Sequence, residues 1–390
     1  MPQEQDLSPS ILSRAAVVAT AAIFGLTYSL SAALIALDLA AKGLSETLIG
    51  CNAAMHAVGV LLMAFLLPGI TARLGLRRTV LAALVTAASL LALFPALPVV
   101  WLWFPLRILL GSSSETLFVL SETWLNALSS EETRARAMGV YTAALSVGFA
   151  LGPLILSAVG SDGFLPYLVG TGLTLLSALC ILSPRIATPQ IEKPAYGNAF
   201  HYMRLAPLAL AATALNAAIE TSGLTFLPLY ALSLGWPEHQ ATQLMTCIMF
   251  GAIVLQLPVG WLGDKMNRSR LALYLAALSA LGAACWPLVL QSVLATYGVL
   301  FLWGGAFVGL YTIMLTIVGS RFQGGELIGI YAAMGLLWGV GALLGPLLAG
   351  LSMQFMRHGL PFFVAFACAL FIAAWLFLAS SPPSSKEPRR

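Results

Sequence analysis

"LQLPVGWLGDKMNRSRLALYLA", from Leu255 to Ala276, interrupts an oily chain with four charges in seven residues: Asp264, Lys265, Arg268 and Arg270. A near-echo, "LLPGITARLGLRRTVLAALVTA" from Leu66 to Ala87, carries Arg73, Arg77 and Arg78. In both, two long apolar runs meet at a short basic turn. That pattern specifies a hairpin of two hydrophobic helices, and its recurrence suggests that the unit is built twice.

The 390 residues around these turns are 59% hydrophobic and only 9% charged, against roughly 25% charged in an ordinary soluble domain. A water-soluble fold must make a polar surface, and this chain lacks the side chains for one. Lipid is therefore the expected solvent. About 20 apolar residues cross a bilayer as a helix, and twelve such spans are expected: 14–37, 45–70, 79–97, 99–126, 137–160, 164–184, 204–232, 240–262, 271–290, 292–319, 326–352 and 359–380. Run length and the lack of strict alternation favour helices over barrel strands. The start of the chain carries Glu4 and Asp6 and leads into a full span, unlike a cleavable signal peptide. The five cysteines, Cys51, Cys180, Cys247, Cys285 and Cys368, fall inside spans without metal-ligand spacing, and read as small apolar fillers.

Orientation follows from Lys and Arg in short loops. With the N-terminus inside, the inner segments hold sixteen of the nineteen: Arg14, Arg73, Arg77, Arg78, Arg134, Arg136, Arg185, Lys193, Arg204, Lys265, Arg268, Arg270, Arg321, Lys386, Arg389 and Arg390. The outer segments hold Lys42 and Arg357, and Arg107 lies within a span. Both termini are thus expected in the cytoplasm, with the protein in the inner membrane. The net charge of +4 reflects topology and gives no reason to invoke nucleic acid.

A linker at 185–203, rich in Pro and Gly, separates an N-terminal half (1–184) from a C-terminal half (204–390), each with six spans. The halves echo each other beyond the basic turns: "GVYTAALSVGFALGPLILSAVG" (139–160) is similar to "GIYAAMGLLWGVGALLGPLLAG" (329–350). The expected fold is an all-α integral membrane protein of twelve helices in two pseudo-symmetric six-helix halves. Such halves suit a transporter with its site at their interface.

The segment Gly260-Trp-Leu-Gly-Asp264-Lys-Met-Asn-Arg268-Ser-Arg270 resembles the loop signature of the major facilitator superfamily, with Asn267 where a glycine is usual. The first-half copy keeps Arg73, Gly75 and Arg77-Arg78 but has Pro68 and Ala72 in place of Gly and Asp. Arg107-Ile-Leu-Leu-Gly111 is similar to the family's span-4 core. Gly148-Phe-Ala-Leu-Gly152-Pro153 is similar to the span-5 motif of its antiporters, with Ala144 and Leu156 in two flanking glycine places. The resemblance covers about 14–380. It implies alternating access, a cavity lined by polar residues of spans 1 and 7, and a loop Asp that stabilises a helix N-terminus across the interface. For Asp264 that partner is the start of span 5, around Arg136 to Gly139, and Arg268 and Arg270 join it as a gate.

Ionisable groups at membrane depth are costly and point to function. Arg107, Glu115 and Glu122 share one face of span 4, within an arc of about 80°. Glu122 is expected to latch a gate with Arg73, Arg77 or Arg78. Span 7 places Glu220 one turn after Asn216. Proton coupling is expected at Glu220 first, then Glu115, with Arg107 modulating Glu115. Substrate-lining candidates are Tyr28 with Thr27 and Ser31, Asn52, His56, Asn216, Glu220, Tyr331 and Trp338. The acids suit a cation and Arg107 an anion, with the balance slightly towards cations.

The leading reading is a proton-coupled exporter of a small organic molecule. The alternative is a proton-coupled importer (symporter) of a metabolite. A non-transporting receptor or scaffold, expected to add a soluble domain, ranks below both. The sequence carries no P-loop, metal cluster or nucleophile–base pair, so neither an enzyme nor direct ATP coupling is expected, and no cofactor or metal. The expected partners are a small-molecule substrate, protons and the lipid bilayer, with the protein a monomer.

Overall fold

A computed structural model describes residues 11–129, 131–189, 199–322 and 324–380, and contains no strand among them. The first half comprises α1 (Ile11–Ala41), α2 (Glu46–Leu74), α3 (Leu76–Ala96), α4 (Trp103–Ala127), α5 (Glu131–Val159) and α6 (Leu165–Leu182). A short α7 (Ala199–Leu205) precedes the second half: α8 (Pro207–Ser233), α9 (Glu238–Val254), α10 (Gln256–Lys265), α11 (Arg268–Val289), α12 (Val293–Arg321), α13 (Gly324–Phe355) and α14 (Gly359–Ser380).

These helices match the twelve expected spans with two refinements. The linker is not loop throughout, since α7 occupies its second part, while 190–198 lie outside the described residues. The eighth span is α9 and α10 in series, interrupted at Leu255. Pro258 explains the break: it donates no hydrogen bond, and its ring crowds the carbonyl four residues back, at Val254.

Ten of these spans are long and apolar enough to cross a membrane. The two full-length helices that fall short are α4 and α8, which carry Arg107, Glu115, Glu122, Asn216 and Glu220. They reach membrane depth because other helices shield them from lipid. Elsewhere large apolar side chains face outwards, among them Phe65, Leu257, Leu281 and Phe366.

The packing is the same in each half. Helix α1 packs on α5 as α8 packs on α13; α2 on α4 as α9 on α12; and α3 on α6 as α11 on α14. Between halves, α2 packs on α13 and α5 on α9, with α1 against α8 at the centre.

Lipid tails are as apolar as leucine, so burial gives helices little reason to prefer each other over lipid. Close backbone approach through small residues supplies the attraction instead. A Cβ on Gly148 would collide with the carbonyl oxygen of Ala22, and one on Gly152 would lie 2.6 Å from the Leu30 nitrogen, both on α1. In the second half, Gly341 and Gly345 meet the carbonyls of Ala214 and Ala218 on α8 in the same way. The two Gly-x-x-x-Gly-Pro segments are thus the seams that join spans 5 and 11 to spans 1 and 7.

Gly148→Val should therefore lower the thermal stability of the detergent-solubilised protein, by about 1–3 kcal/mol as an overpacking change. Gly172→Ala, on α6 with nothing within 4 Å of the added carbon, should leave it unchanged or raise it by up to about 1 kcal/mol. Thermal unfolding of both variants measures the contrast. An equal loss in both would detach stability from the seam.

Candidate functional site

The basic turns share one end of the bundle with the ends of α4, α6 and α12; this end is the basic face. The opposite face is where α2 and α9 begin and α5 and α13 end. The halves are fastened together there. Thr47 donates to Gln354, and Gly50 and Gly350 sit against the carbonyls of Pro346 and Glu46. On the other seam Ser157 donates to the His239 carbonyl (2.9 Å), Gln243 donates to Ser157 (2.9 Å), Thr246 donates to the Ala150 carbonyl (3.1 Å), and the Ser161 amide donates to Glu238 (2.8 Å).

Towards the basic face the halves part around a cavity of about 560 Å³. Its wall runs from Tyr28 and His56 at mid-helix depth, past Glu115, to Glu122, Met138 and Tyr331 near the helix ends. Aromatic rings make up much of it. Phe24 lies 5.6 Å from Phe118 and 6.1 Å from Phe149, between ring centroids, and Tyr28 stands edge-on to His56 at 4.8 Å. Trp338, Tyr311 and Thr213 line the second-half side.

Of the residues expected to line the site, Tyr28, His56, Tyr331 and Trp338 do, joined by Glu115 and Glu122. Asn52, Asn216 and Glu220 are not on this wall. Asn52 and Asn216 are buried. Glu220 accepts from the Asn216 amide at 3.2 Å and faces a small apolar pocket inside the second half, with Met245, Trp286 and Phe307. Thr27 turns instead to Thr174 of α6 (3.2 Å), and Ser31 donates to the Tyr28 carbonyl. A helical face defined by sequence spans a wide arc, and these residues point into the half-bundle at its edge.

The gate candidates stand apart. Arg77 donates to the carbonyls of Leu182 and Ser183 at the end of α6 and not to Glu122, so in this structure it ties α3 to α6 within one half. Asp264 is exposed and lies 3.9 Å from Arg268, one turn on. Asn267, where the loop signature has glycine, caps α11 by accepting from the Arg270 amide (3.1 Å). Arg78 and Arg270 are exposed. The side chains of Arg134 and Arg136 lie outside the described residues. Arg107 is buried beyond the inner end of the cavity, with no carboxylate in ion-pair range among the described residues; Glu115 does not pair with it. Sequence reasoning missed the aromatic wall. Phe24 and Phe149 sit among the small residues of the α1–α5 seam, where they read as packing, and Tyr311 lies in a span with no charged residue to mark it.

Two six-helix halves that clasp a cavity closed at one face and open at the other define a membrane transporter. The chain belongs to the Major Facilitator Superfamily, whose family model matches residues 17–237 and again 208–390. The MFS-type transporter YfkF of Bacillus subtilis (strain 168) is 26% identical over 382 residues, covering 95% of this chain and 96% of its own. YcaD of Escherichia coli O139:H28, also an MFS-type transporter, is 26% identical over 358 residues, covering 90% and 92%. Among solved structures, the nucleoside transporter NupG superposes with a TM-score of 0.77 at 12% identity, covering 97% of this chain and all of that one. A D-xylose-proton symporter superposes at 0.73 with 16% identity, covering 96% and 98%. At these identities the two structures share the fold.

Cross-linking Thr47→Cys to Gln354→Cys with a short bifunctional thiol reagent, in a background free of the native cysteines, should hold the opposite face shut. Thr142→Cys, exposed on the cavity wall, should still react with an impermeant thiol reagent from the basic face. Thr225→Cys should lose any reactivity from the opposite face. Continued labelling of Thr225→Cys from that side would show that the seam is not the closure.

Proposed function

We propose that this protein is a secondary active transporter of the inner membrane that exports a small organic molecule in exchange for protons by alternating access. The carrying observation is the cavity itself, open to the basic face, with Glu115 and Glu122 on its wall and His56 at its closed end. The positive-inside rule assigns the basic face to the cytoplasm, so a substrate loads from the cytoplasm in this conformation. The resemblance of the Gly148–Pro153 segment to the antiporter motif supports the exchange direction.

The coupling has a physical basis. While the cavity is open, water reaches Glu115, and the carboxyl can exchange its proton. Closing the halves removes that water. An ionised carboxylate without a partner at membrane depth costs about 2.5–3.5 kcal/mol on insertion scales, so the closed state accepts Glu115 only protonated or satisfied by hydrogen-bond donors of the substrate. That condition links proton movement to substrate movement. Glu220, behind the wall and held by Asn216, is the second coupling candidate. In this reading Asp264 latches the basic face shut in the other conformation, so its exposure here belongs to the open state.

Transport of candidate compounds in proteoliposomes, under pH gradients of both signs, tests the direction. Substrate moving against protons supports export, and movement together supports the symporter. A gradient of one pH unit can drive about tenfold accumulation per proton exchanged. Glu115→Gln should reduce that accumulation to simple equilibration while leaving substrate exchange intact. If Glu115→Gln keeps full accumulation and Glu220→Gln loses it, the coupling group is Glu220.

Asp264→Asn should slow turnover several-fold with little effect on equilibrium substrate binding, because no residue of the loop lines the cavity and it acts only on the balance of states. Unchanged turnover would leave the loop as a topology signal.

A further inference from the structure

Arg107 has no part in the scheme above, yet it is the only Lys or Arg away from the ends of the spans as read from the sequence, and it is 3% exposed. Its Nε and Nη1 have no hydrogen-bond partner. The acids that could neutralise it are engaged or turned elsewhere. Asp38 pairs with Lys42 and accepts from the Tyr167 hydroxyl (3.0 Å), Glu220 accepts from Asn216, and Glu115 lines the open cavity. Arg107 lines a small pocket at the closed end of that cavity. Tyr28 and His56 belong to both, and Thr221 and Thr225 of α8 face it from the other half. Both ring nitrogens of the buried His56 also lack partners, as does the Asn52 amide nitrogen one turn away.

The scaffold does not require a cation here. The close contact of α2 and α4, made at Gly59 and Gly111, recurs in the second half at Gly251 and Gly304. Four residues before Gly111 stands Arg107; four before Gly304 stands Leu300, fully packed. Three before Gly59 stands His56; three before Gly251 stands Ile248, also packed. The same helix pair is thus stable with an apolar filling. Buried polar groups are ordinarily paired, and a buried unpaired charge is destabilising unless something completes it.

From this juxtaposition we infer that the closed end of the cavity takes the carboxylate of an organic anion, with one oxygen filling the water-sized pocket of about 10 Å³ beside Arg107 and the apolar body lying along the aromatic wall. A guanidinium pairs a carboxylate through paired donors; Thr221 and Thr225 border the pocket from the opposite half with their hydroxyls donated to the Ala217 and Thr221 carbonyls, so the donors left for the anion are those of Arg107, His56 and Asn52. One cation in a small pocket suits a single negative charge better than a phosphate dianion. This reverses the slight preference for cations drawn from the acids alone, because Glu220 is bonded to Asn216 and lines neither this pocket nor the cavity, and Glu115 and Glu122 lie nearer the mouth. The inference rests on the transport reading for its substrate, but its test needs neither a gradient nor a membrane.

The test is equilibrium binding to the purified full-length protein in detergent, using 4-phenylbutyrate, its amide 4-phenylbutanamide, and acetate. Loss of a charge-assisted hydrogen bond at a buried site corresponds to roughly ten- to a hundredfold in affinity. The carboxylate should bind tighter than the amide by that factor, and acetate should bind far more weakly than either phenyl compound. Arg107→Gln should abolish the carboxylate preference, and Arg107→Lys should keep part of it. If Arg107→Gln fails to fold, His56→Ala serves as the second variant and should shrink the preference. Equal binding of carboxylate and amide, no binding by either, or a full preference surviving in Arg107→Gln would each overturn the assignment. Acetate binding as tightly as 4-phenylbutyrate would overturn the placement of the apolar body. A carboxylate preference without gradient-driven transport would instead count against the coupling proposed above and leave this pocket standing.

Discussion

The contact of bare backbone on bare backbone at Gly148 and Gly152, and at Gly341 and Gly345, is the interaction on which the rest of the molecule depends. In lipid, helices gain little by hiding apolar surface from one another. What holds span 5 to span 1, and span 11 to span 7, is the close fit that glycine permits. Those pairs carry the innermost helices of each half, and α1 and α8 in turn meet at the centre. With the inner pairs fixed, α5 and α13 turn their free faces to α9 and α2, and these contacts are the two seams between halves.

Those seams are unequal from end to end. At the opposite face they combine close glycine contacts at Gly50 and Gly350 with hydrogen bonds such as Ser157 to His239 and Thr246 to Ala150. Towards the basic face they diverge around the aromatic cavity. Closure at one end and separation at the other is the asymmetry that alternating access needs. It arises because the seams are close-packed and hydrogen-bonded at one end only.

Function departs from symmetry where the scaffold does not. The α2–α4 and α9–α12 pairs use matching glycines, yet the first pair carries His56, Arg107 and Glu115 while Ile248 and Leu300 fill the corresponding places of the second. Duplication supplied the frame. The polar lining is not repeated: the first half places His56, Arg107 and Glu115 along the cavity and its inner pocket, and the second half lines them with Thr221, Thr225, Tyr331 and Trp338.

The fold was legible in the sequence because lipid imposes a simple rule: each crossing needs a long apolar run, and each basic turn marks a side. The exceptions were legible for the same reason, since the polar residues of α4 and α8 have no place in lipid and so mark the interior. Direction around the helix was not legible. Asn52, Asn216 and Glu220 share helical faces with cavity residues, but a few tens of degrees of rotation turn them into the half-bundle. Arg77 and Glu122 looked like gate partners by charge, yet the carbonyls at the end of α6 take the Arg77 donors. The sequence by itself determined the number of spans, the repeat, and which helices must be shielded. Only the tertiary structure decided which side chains meet across the two halves, because those meetings depend on helix rotation and on which end of each seam is closed, and neither is encoded in any local run of residues.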